Sequence, residues 1–274
     1  MAAIVPAGPP SRGRPAVPGA RPIVRRAAAA AVLALGLCAT AACGAGSTPA
    51  AAPTPPTIHV VTRDVTSTQP PYTAKLSLPQ LTWPGQAAAA TRVNAEVQAW
   101  AQGQVAAFGT RVQTDLAHAR SLPASPPISS LTLTYSSGLA NSHAASFAFL
   151  VEPYYRGAAN FAQSPAGLTF ELPSGREMAL AALFRPGSAY LATLAAQAGT
   201  GLAAFQPAGA HCYLGQVPPA AATSFGAWWL SANGLVLSFP AGTYTAAYCG
   251  PPTVTVPYTA LRALASSGSI LAGA

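Results

Sequence analysis

Residues 86–120 read QAAAATRVNAEVQAWAQGQVAAFGTRVQTDLAHAR. Apolar side chains recur in this stretch mostly every three or four residues, at Val93, Val97, Trp100, Val105, Phe108, Val112 and Leu116. This spacing places them on one face of an α-helix. The stretch therefore predicts a long amphipathic helix whose apolar stripe must be covered by a sheet or another helix. Gly103 and Gly109 lower the helix propensity by about 1 kcal/mol each relative to alanine, so the helix could bend or break there.

The chain on either side of this helix has the alternation typical of β-strands. Residues 131–135 and 146–155 predict a hairpin around a turn at 138–141. Asn233-Gly234 between two apolar runs predicts a second hairpin, because both residues tolerate positive φ. Other elements are expected as strands at 72–78 (ending at Pro79), 168–172 and 254–256, and as helices at 188–205 and after Pro257. The predicted fold is α+β, with the long amphipathic helix and a second helix packed on a mostly antiparallel sheet.

The first 43 residues have the layout of an export signal. Arg25-Arg26 precede an uncharged apolar run from Ala27 to Leu37. Thr40-Ala41-Ala42-Cys43-Gly44 resembles a lipobox, which predicts lipidation of Cys43 and attachment to the membrane through that lipid. The alternatives are an ordinary signal peptide cut after an Ala-x-Ala-like site and, as a second choice, a permanent anchor. Either the general secretory or the twin-arginine route could carry the chain.

The sequence after Cys43 predicts a tether followed by one domain. Residues 44–58 are rich in Ala, Pro and Thr, which favours an extended, solvated segment. Residues 59–274 are expected to form a single domain. The net charge of +8 does not indicate nucleic-acid binding. Five arginines precede the apolar run and the other basic residues are scattered, so no phosphate-binding stripe is formed.

Cysteine usage indicates an oxidising compartment outside the cytoplasm. Once Cys43 is lipidated, Cys212 and Cys249 remain, and an exported protein is expected to join them in a disulfide bond. A metal site is not expected, because His211-Cys212 has no partner at metal-ligand spacing. No cofactor-binding fingerprint is present in the sequence.

Candidate chemistry is sparse. No nucleophile, zinc-protease or phosphate-loop motif is found, and the four histidines are isolated in the sequence. Glu152, Glu171 and Glu177 could meet across neighbouring strands and act as an acid/base pair, although solvated strand-end charges are the simpler interpretation. Trp228-Trp229 place one indole on each face of a strand, which predicts one core ring and one ring at the surface or at an interface. With Tyr213, Tyr244 and Tyr248 the exposed indole could form a contact patch, although core packing is the simpler role.

Several motifs resemble the extracytoplasmic domain shared by RsiV-type anti-sigma proteins and the mycobacterial secreted immunogenic antigen family. They span nearly the whole mature domain and are found at Tyr72–Leu81 (YTAKLSLPQL), Asn94, Phe147-Ala148-Phe149, Tyr154–Gly157, Leu180–Leu194 (LAALFRPGSAYLATL), Trp229–Phe239 and Val254–Leu261. The resemblance implies an α+β domain that in some members binds a protein such as lysozyme and in others accompanies a polysaccharide deacetylase.

Two departures limit what the resemblance implies. Gly157-Ala158-Ala159-Asn160 stands where the family often has Gly-Gly-x-His, and neither an anti-sigma segment nor a deacetylase domain is found. The leading hypothesis is therefore an exported, lipid-anchored protein with a non-catalytic binding or sensor-like domain, whose partner is an envelope protein or a cell-wall glycan. The competing hypothesis is a cell-wall glycan hydrolase that uses Glu152, Glu171 or Glu177.

Overall fold

A computed structural model describes residues 54–119, 128–172 and 174–273. The predicted signal segment, Cys43 and the tether up to residue 53 lie outside the described residues. Within that part of the chain, no helix is long and apolar enough to cross a membrane. The described chain forms two sheets, each with its own helix, and the two sheets are packed against each other.

The larger sheet has six strands in sequential order. They are β1 (Thr57–Thr68), β2 (Pro71–Thr82), β3 (Ser129–Ala140), β4 (Ala144–Tyr154), β5 (Ser164–Glu171) and β6 (Arg176–Glu177). Neighbouring strands pair antiparallel except β2 and β3, which are parallel. A parallel pair needs a long crossover, and α1 (Ala87–Ala119) supplies it. The predicted α+β fold with a mostly antiparallel sheet is confirmed.

The helix α1 continues without a break through Gly103 and Gly109. Gly109 lies against the ring of Tyr72, where an added Cβ would come within 3.1 Å of a ring carbon. The same ring packs edge-on against Phe108, with 5.4 Å between the centroids. Gly109 therefore lets the helix approach β2 closely, and the helix does not break there because packing against the sheet outweighs the propensity cost.

Two strand predictions need correction at the start of the domain. β1 was not predicted, and it begins at Thr57, where the tether was expected to continue to residue 58. Most of its residues are exposed, so its hydrophobic alternation is weak. β2 also continues past the predicted stop at Pro79. Beyond Ser77 it pairs only with β1, and a strand with one free edge accommodates a residue that lacks an N–H.

The smaller sheet is a meander of β7 (Ala227–Ser231), β8 (Gly234–Ser238) and β9 (Thr253–Pro257). Its first turn is the predicted Asn233-Gly234 hairpin, and Gly234 has φ +156°. The predicted second helix is α2 (Tyr190–Ala204), whose Gly201 lies against Val254 of β9. The C-terminal segment adds two short helices, α3 (Tyr258–Leu261) and α4 (Ile270–Gly273).

Two hydrophobic cores result from this arrangement. The first lies between α1 and the inner face of the larger sheet, around Val97, Leu133 and Phe147. The second lies between the smaller sheet, α2 and the C-terminal segment, around Leu194 and Leu237. Burial of these apolar faces, which neither sheet could cover alone, is what holds each layer together.

The two layers meet where β7 crosses β4 and β5. The backbone N–H of Leu230 donates to Ser146 Oγ over 2.7 Å, and Ser146 Oγ lies 2.7 Å from Thr169 Oγ1. Gly167 approaches Trp228 so closely that an added Cβ would lie 1.9 Å from the Trp228 carbonyl oxygen. A small polar network and a glycine contact therefore join the layers.

Candidate functional site

A cleft of about 1200 Å³ opens at one end of the contact between the layers. The larger sheet contributes the β3–β4 turn and the β5–β6 turn. The smaller sheet contributes the β7–β8 turn, and the segment 258–270 closes the side. Several turns from distant parts of the sequence thus converge on one concavity, which is the usual setting of a ligand site.

The β3–β4 turn is held in shape by its first residue. Asn141 Oδ1 accepts hydrogen bonds from the backbone N–H groups of His143 and Ala144, over 2.8 and 2.9 Å. This Asx arrangement explains why the sequence Asn141-Ser142-His143 reverses the chain. Asn141 and the exposed His143 are thereby fixed at the mouth of the cleft.

The β5–β6 turn brings charges of both signs to the cleft. Glu171, Arg176 and Glu177 all line it. Ser174 Oγ donates to Glu171 Oε2 over 2.8 Å, which orients that carboxylate. Arg92 of α1 donates to the Ser174 carbonyl oxygen and ties the turn to the helix. The turn therefore presents one guanidinium and two carboxylates to the cleft, and its backbone is held by the hydrogen bond from Arg92.

The residues that line the opposite wall carry no charge and include a phenol fixed by a hydrogen bond. The Tyr258 hydroxyl donates to the Ser231 carbonyl oxygen over 2.6 Å, which links the C-terminal segment to the β7–β8 turn. Burial raises the pKa of Tyr258 above 10.0, so the phenol is neutral at physiological pH. Leu172, Met178 and Ile270 add apolar surface to the same cleft.

The structure places Glu152 apart from Glu171 and Glu177, the three carboxylates that could have met across neighbouring strands. Glu152 lies near the far end of β4, where Gln163 Nε2 donates to its Oε1 over 2.8 Å. Glu171 and Glu177 both line the cleft. In the strand register between β5 and β6, Glu171 lies opposite Arg176, and Glu177 lies opposite Phe170. Because paired residues share a face, the two carboxylates lie on opposite faces of the sheet. Glu152 lies at the opposite end of β4 from Ala144, which pairs with Glu171, so the three glutamates do not form one cluster.

The structure places neither of the two neighbouring tryptophans at the surface, where one of them could have lain. Trp228 and Trp229 are both buried, at 7% and 8% exposure. Trp228 packs in the second core, whereas Trp229 packs with Ala148 of the larger sheet and Val236. The strand β7 is covered on both faces because it lies between the two layers, a position that its own sequence does not reveal.

The remaining residues of the predicted aromatic patch are mostly core residues. Tyr213 and Tyr244 pack against the second core, and Tyr244 meets Phe239 edge-on at 5.1 Å. Only Tyr248, at 78% exposure, is largely open to solvent. Burial of both indoles and the packing of two tyrosines leave no aromatic patch made of these five residues.

The Cys212 and Cys249 sulfur atoms lie 2.01 Å apart, at disulfide distance. This agrees with the predicted pairing. The bond closes an arm that includes the smaller sheet's first hairpin, and a backbone bridge between Tyr213 and Thr245 runs beside it. Among the described residues, no group of three His, Cys, Asp or Glu side chains could hold a metal ion.

Sequence reasoning did not find most of the cleft. Asn141, Ser231 and Tyr258 belong to turns and a helix start, and their types signal turn chemistry only. The carboxylates Glu171 and Glu177 were singled out, but for a partnership with Glu152. Convergence of four segments that are far apart in sequence has no signature in any one of them.

The fold can be compared with known structures. No protein-family model and no curated protein matches the sequence. A member of the DUF3298 family from Bacteroides fragilis superposes with a TM-score of 0.53 at 13% identity, covering 79% of this chain and 95% of that one. The chain shares its fold. A DUF3298 family protein from Pseudomonas aeruginosa PAO1 gives 0.51 at 12% identity, covering 78% and 95%.

The likeness to the DUF3298 structures extends over nearly all of those chains. At this identity the likeness speaks for the fold alone. The relationship to RsiV-type anti-sigma proteins and to the mycobacterial antigen family stays a prediction.

Proposed function

We propose that the protein is an exported, lipid-anchored envelope protein whose domain binds a segment of a partner protein, without catalysis, in the cleft between its two layers. The observation that carries the proposal is the cleft itself, about 1200 Å³ in volume and lined from both layers. A concavity of this size lined by several turns is the usual setting of a ligand site, and the hydroxyl of Ser174 orients its Glu171 carboxylate.

The chemistry of the cleft favours a peptide segment as the ligand. Arg176 can pair with a carboxylate, and Glu171 and Glu177 with an ammonium or guanidinium group. Exposed hydroxyl and amide groups match the hydrogen-bonding groups of a peptide backbone, while Met178 and Ile270 give contact to apolar side chains. A ligand that carries charges of both signs, together with apolar side chains, fits this lining best.

The location outside the cytoplasm is supported by the disulfide. Cys212 and Cys249 are at bonding distance, and such bonds persist in oxidising compartments. The lipid anchor on Cys43 rests on the sequence motif Thr40-Ala41-Ala42-Cys43-Gly44. A tether between an anchored Cys43 and β1 would let the domain stand clear of the membrane.

Intact-mass analysis of the protein from the membrane fraction tests location and anchoring together. We expect a chain that begins at Cys43, carries a diacylglycerol, and gains two hydrogen atoms in mass when a reductant converts the Cys212–Cys249 disulfide to two thiols. A Cys43→Ala variant should leave the membrane fraction. A full-length chain with free thiols in the cytosol would overturn the proposal.

Site-specific crosslinking tests the cleft. A photoreactive amino acid at Ser267, which is exposed in the cleft, should form one crosslinked species in intact cells. The same probe at Gln113, exposed on α1, serves as the control and should not form it. Charge reversal by Arg176→Glu should abolish the Ser267 product. Wall-glycan hydrolysis by the purified protein that is lost in Glu171→Gln or Glu177→Gln would contradict a non-catalytic role.

A further inference from the structure

The larger sheet has a second surface that is independent of the cleft. On its inner face, Leu131, Leu133 and Val151 are buried beneath α1. Residues between them point to the opposite side, because side chains alternate along a strand. On that side β7 covers β4 at Ser146 and Ala148, but from Leu150 onward β4 is partly exposed.

The uncovered part is polar, and the strand register shows its layout. Lys75, Thr132 and Glu152 are paired in one row across β2, β3 and β4. Thr73, Ser130 and Tyr154 are paired in the next row. All six side chains are at least partly accessible. We call these six residues the open face. Neighbouring strands are about 4.8 Å apart, so the open face is roughly 10 Å wide before β1 extends it.

One edge of the open face carries an exposed aromatic ring. Phe161 is 57% exposed and packs on Tyr154, with 5.1 Å between the ring centroids. Gln163, two residues further on, donates to Glu152 over 2.8 Å. A phenylalanine held on the surface in contact with a tyrosine leaves an apolar ring available, and the carboxylate and amide beside it are fixed by their own hydrogen bond.

The second layer forms a step at this edge. The Ala241 backbone N–H donates to the Gln163 carbonyl oxygen over 3.3 Å, so the arm that ends at Cys249 lies beside Gln163. The arm thus borders the open face on this side. Next to it lie the Phe161 ring, the Glu152–Gln163 pair and the hydroxyls of the open face. We call the open face together with Phe161 and Gln163 the shelf. The Phe161 ring is the exposed apolar group at its edge.

We propose that this shelf binds a neutral glycan chain. The C–H face of a pyranose ring stacks on an aromatic ring, and planar carboxylate and amide groups exchange hydrogen bonds with neighbouring sugar hydroxyls. Serine and threonine hydroxyls can both donate and accept along the rest of the chain. Asp64 of β1 pairs with Lys75, so the row holds two carboxylates and one ammonium group, which disfavours a polyanion such as nucleic acid or an acidic lipid surface. A protein partner would require a broader apolar centre than one ring.

The proposal is tested with the exported chain and two soluble probes, the β-1,4-linked hexasaccharides of N-acetylglucosamine and of glucose. We expect saturable binding of at least one probe by calorimetry. Phe161→Ala should weaken it about tenfold, because the stacking contact is lost, whereas Phe161→Tyr, which keeps the ring, should retain it. Leu214→Ala removes another exposed apolar side chain, outside the shelf, and should have no effect.

Three results of the binding measurements would overturn the proposal. They are the absence of binding to both hexasaccharides, equal affinities for wild type and Phe161→Ala, and binding to a polyanion such as heparin but to neither neutral probe. Crosslinking of a protein from position 161 in cells, without glycan binding, would also reject it. Arg176→Glu should leave glycan binding unchanged, so failure of the cleft and failure of the shelf are distinguishable.

Discussion

The two layers of the molecule are stabilised in different ways. In the larger layer one long helix covers an extended sheet, and aromatic rings such as Phe147, Phe149 and Phe170 fill the space between them. In the smaller layer short strands, short helices and turns are closed by a disulfide. A region with a broad apolar interface needs no covalent tie, whereas a loop-rich region gains from one because a crosslink restricts its unfolded state.

The largest effect should come from separating the two layers at Gly167. A Cβ at this position would lie 1.9 Å from the Trp228 carbonyl oxygen, and backbone cannot yield as a flexible side chain can. We expect Gly167→Ala to lower the free energy of unfolding by more than about 4 kcal/mol, or to prevent folding.

A matched control for Gly167→Ala is the same substitution at Gly103 of α1. No atom lies within 4 Å of its added Cβ, so Gly103→Ala should stabilise the protein by about 1 kcal/mol through helix propensity. Chemical denaturation of both variants measures the difference. If the two variants had equal free energies of unfolding, close contact between the layers at Gly167 would not contribute to stability.

The second prediction is that reduction of the disulfide bond destabilises the smaller layer more than the larger one. Cys212 and Cys249 are 37 residues apart in sequence, for which the chain-entropy model gives a stabilisation of about 4 kcal/mol. After reduction, or in a Cys212→Ala/Cys249→Ala variant, amide hydrogen exchange should rise first in the arm 212–249 and later in α1. Faster amide exchange in α1 than in the arm would contradict the view that the disulfide stabilises mainly the smaller layer.

A third prediction concerns the polar network at the junction. Ser146 is fully buried and contacts both the Leu230 N–H and the Thr169 hydroxyl. Ser146→Ala leaves two buried polar groups without this partner and should cost about 1–3 kcal/mol. Thr169→Val keeps the Ser146–Leu230 bond and should cost less, on the order of 1 kcal/mol. Denaturant midpoints of the two variants decide, and the reverse ranking would contradict the network's role.

The contrast between the layers also explains what the sequence could predict. The helix α1 and the Asn233-Gly234 hairpin were predicted because each carries its signal locally, as a 3.6-residue period or a turn dipeptide. β1 was missed because an exposed edge strand needs no alternating apolar face. The two indoles of Trp228-Trp229 were misplaced because a strand between two layers loses its solvent face.

The candidate site was predicted less completely than the fold for the same physical reason. Glu171 and Glu177 were recognised as candidates, but the register that separates them from Glu152 is a property of strand pairing. Tyr258 lies 27 residues from Ser231, the residue that its hydroxyl contacts, and such pairs follow from the packing of layers. Local patterns therefore predicted elements, and contacts between elements needed the structure.

The smallest expected effect is at Tyr258, where the cleft wall joins the two halves of the smaller layer. Tyr258→Phe removes the hydrogen bond to the Ser231 carbonyl oxygen and should cost about 1 kcal/mol at neutral pH. Burial raises the pKa of Tyr258 above 10.0, so the folded state holds this proton to higher pH than the unfolded chain does. Its contribution to stability is complete below pH 10 and is lost as the pH rises through the folded-state pKa.

The stability of the wild type should therefore fall above about pH 10, and Tyr258→Phe should make that fall shallower. Burial also raises the pKa values of Tyr135 and Tyr155, so part of the alkaline loss should remain in the variant. Tyr248→Phe is the control, because that ring is exposed to solvent. Denaturation between pH 7 and pH 11 measures the three curves. If Tyr258→Phe and Tyr248→Phe have the same alkaline slope, Tyr258 does not couple protonation to the closure of the cleft wall, and the C-terminal segment is held by its apolar contacts alone.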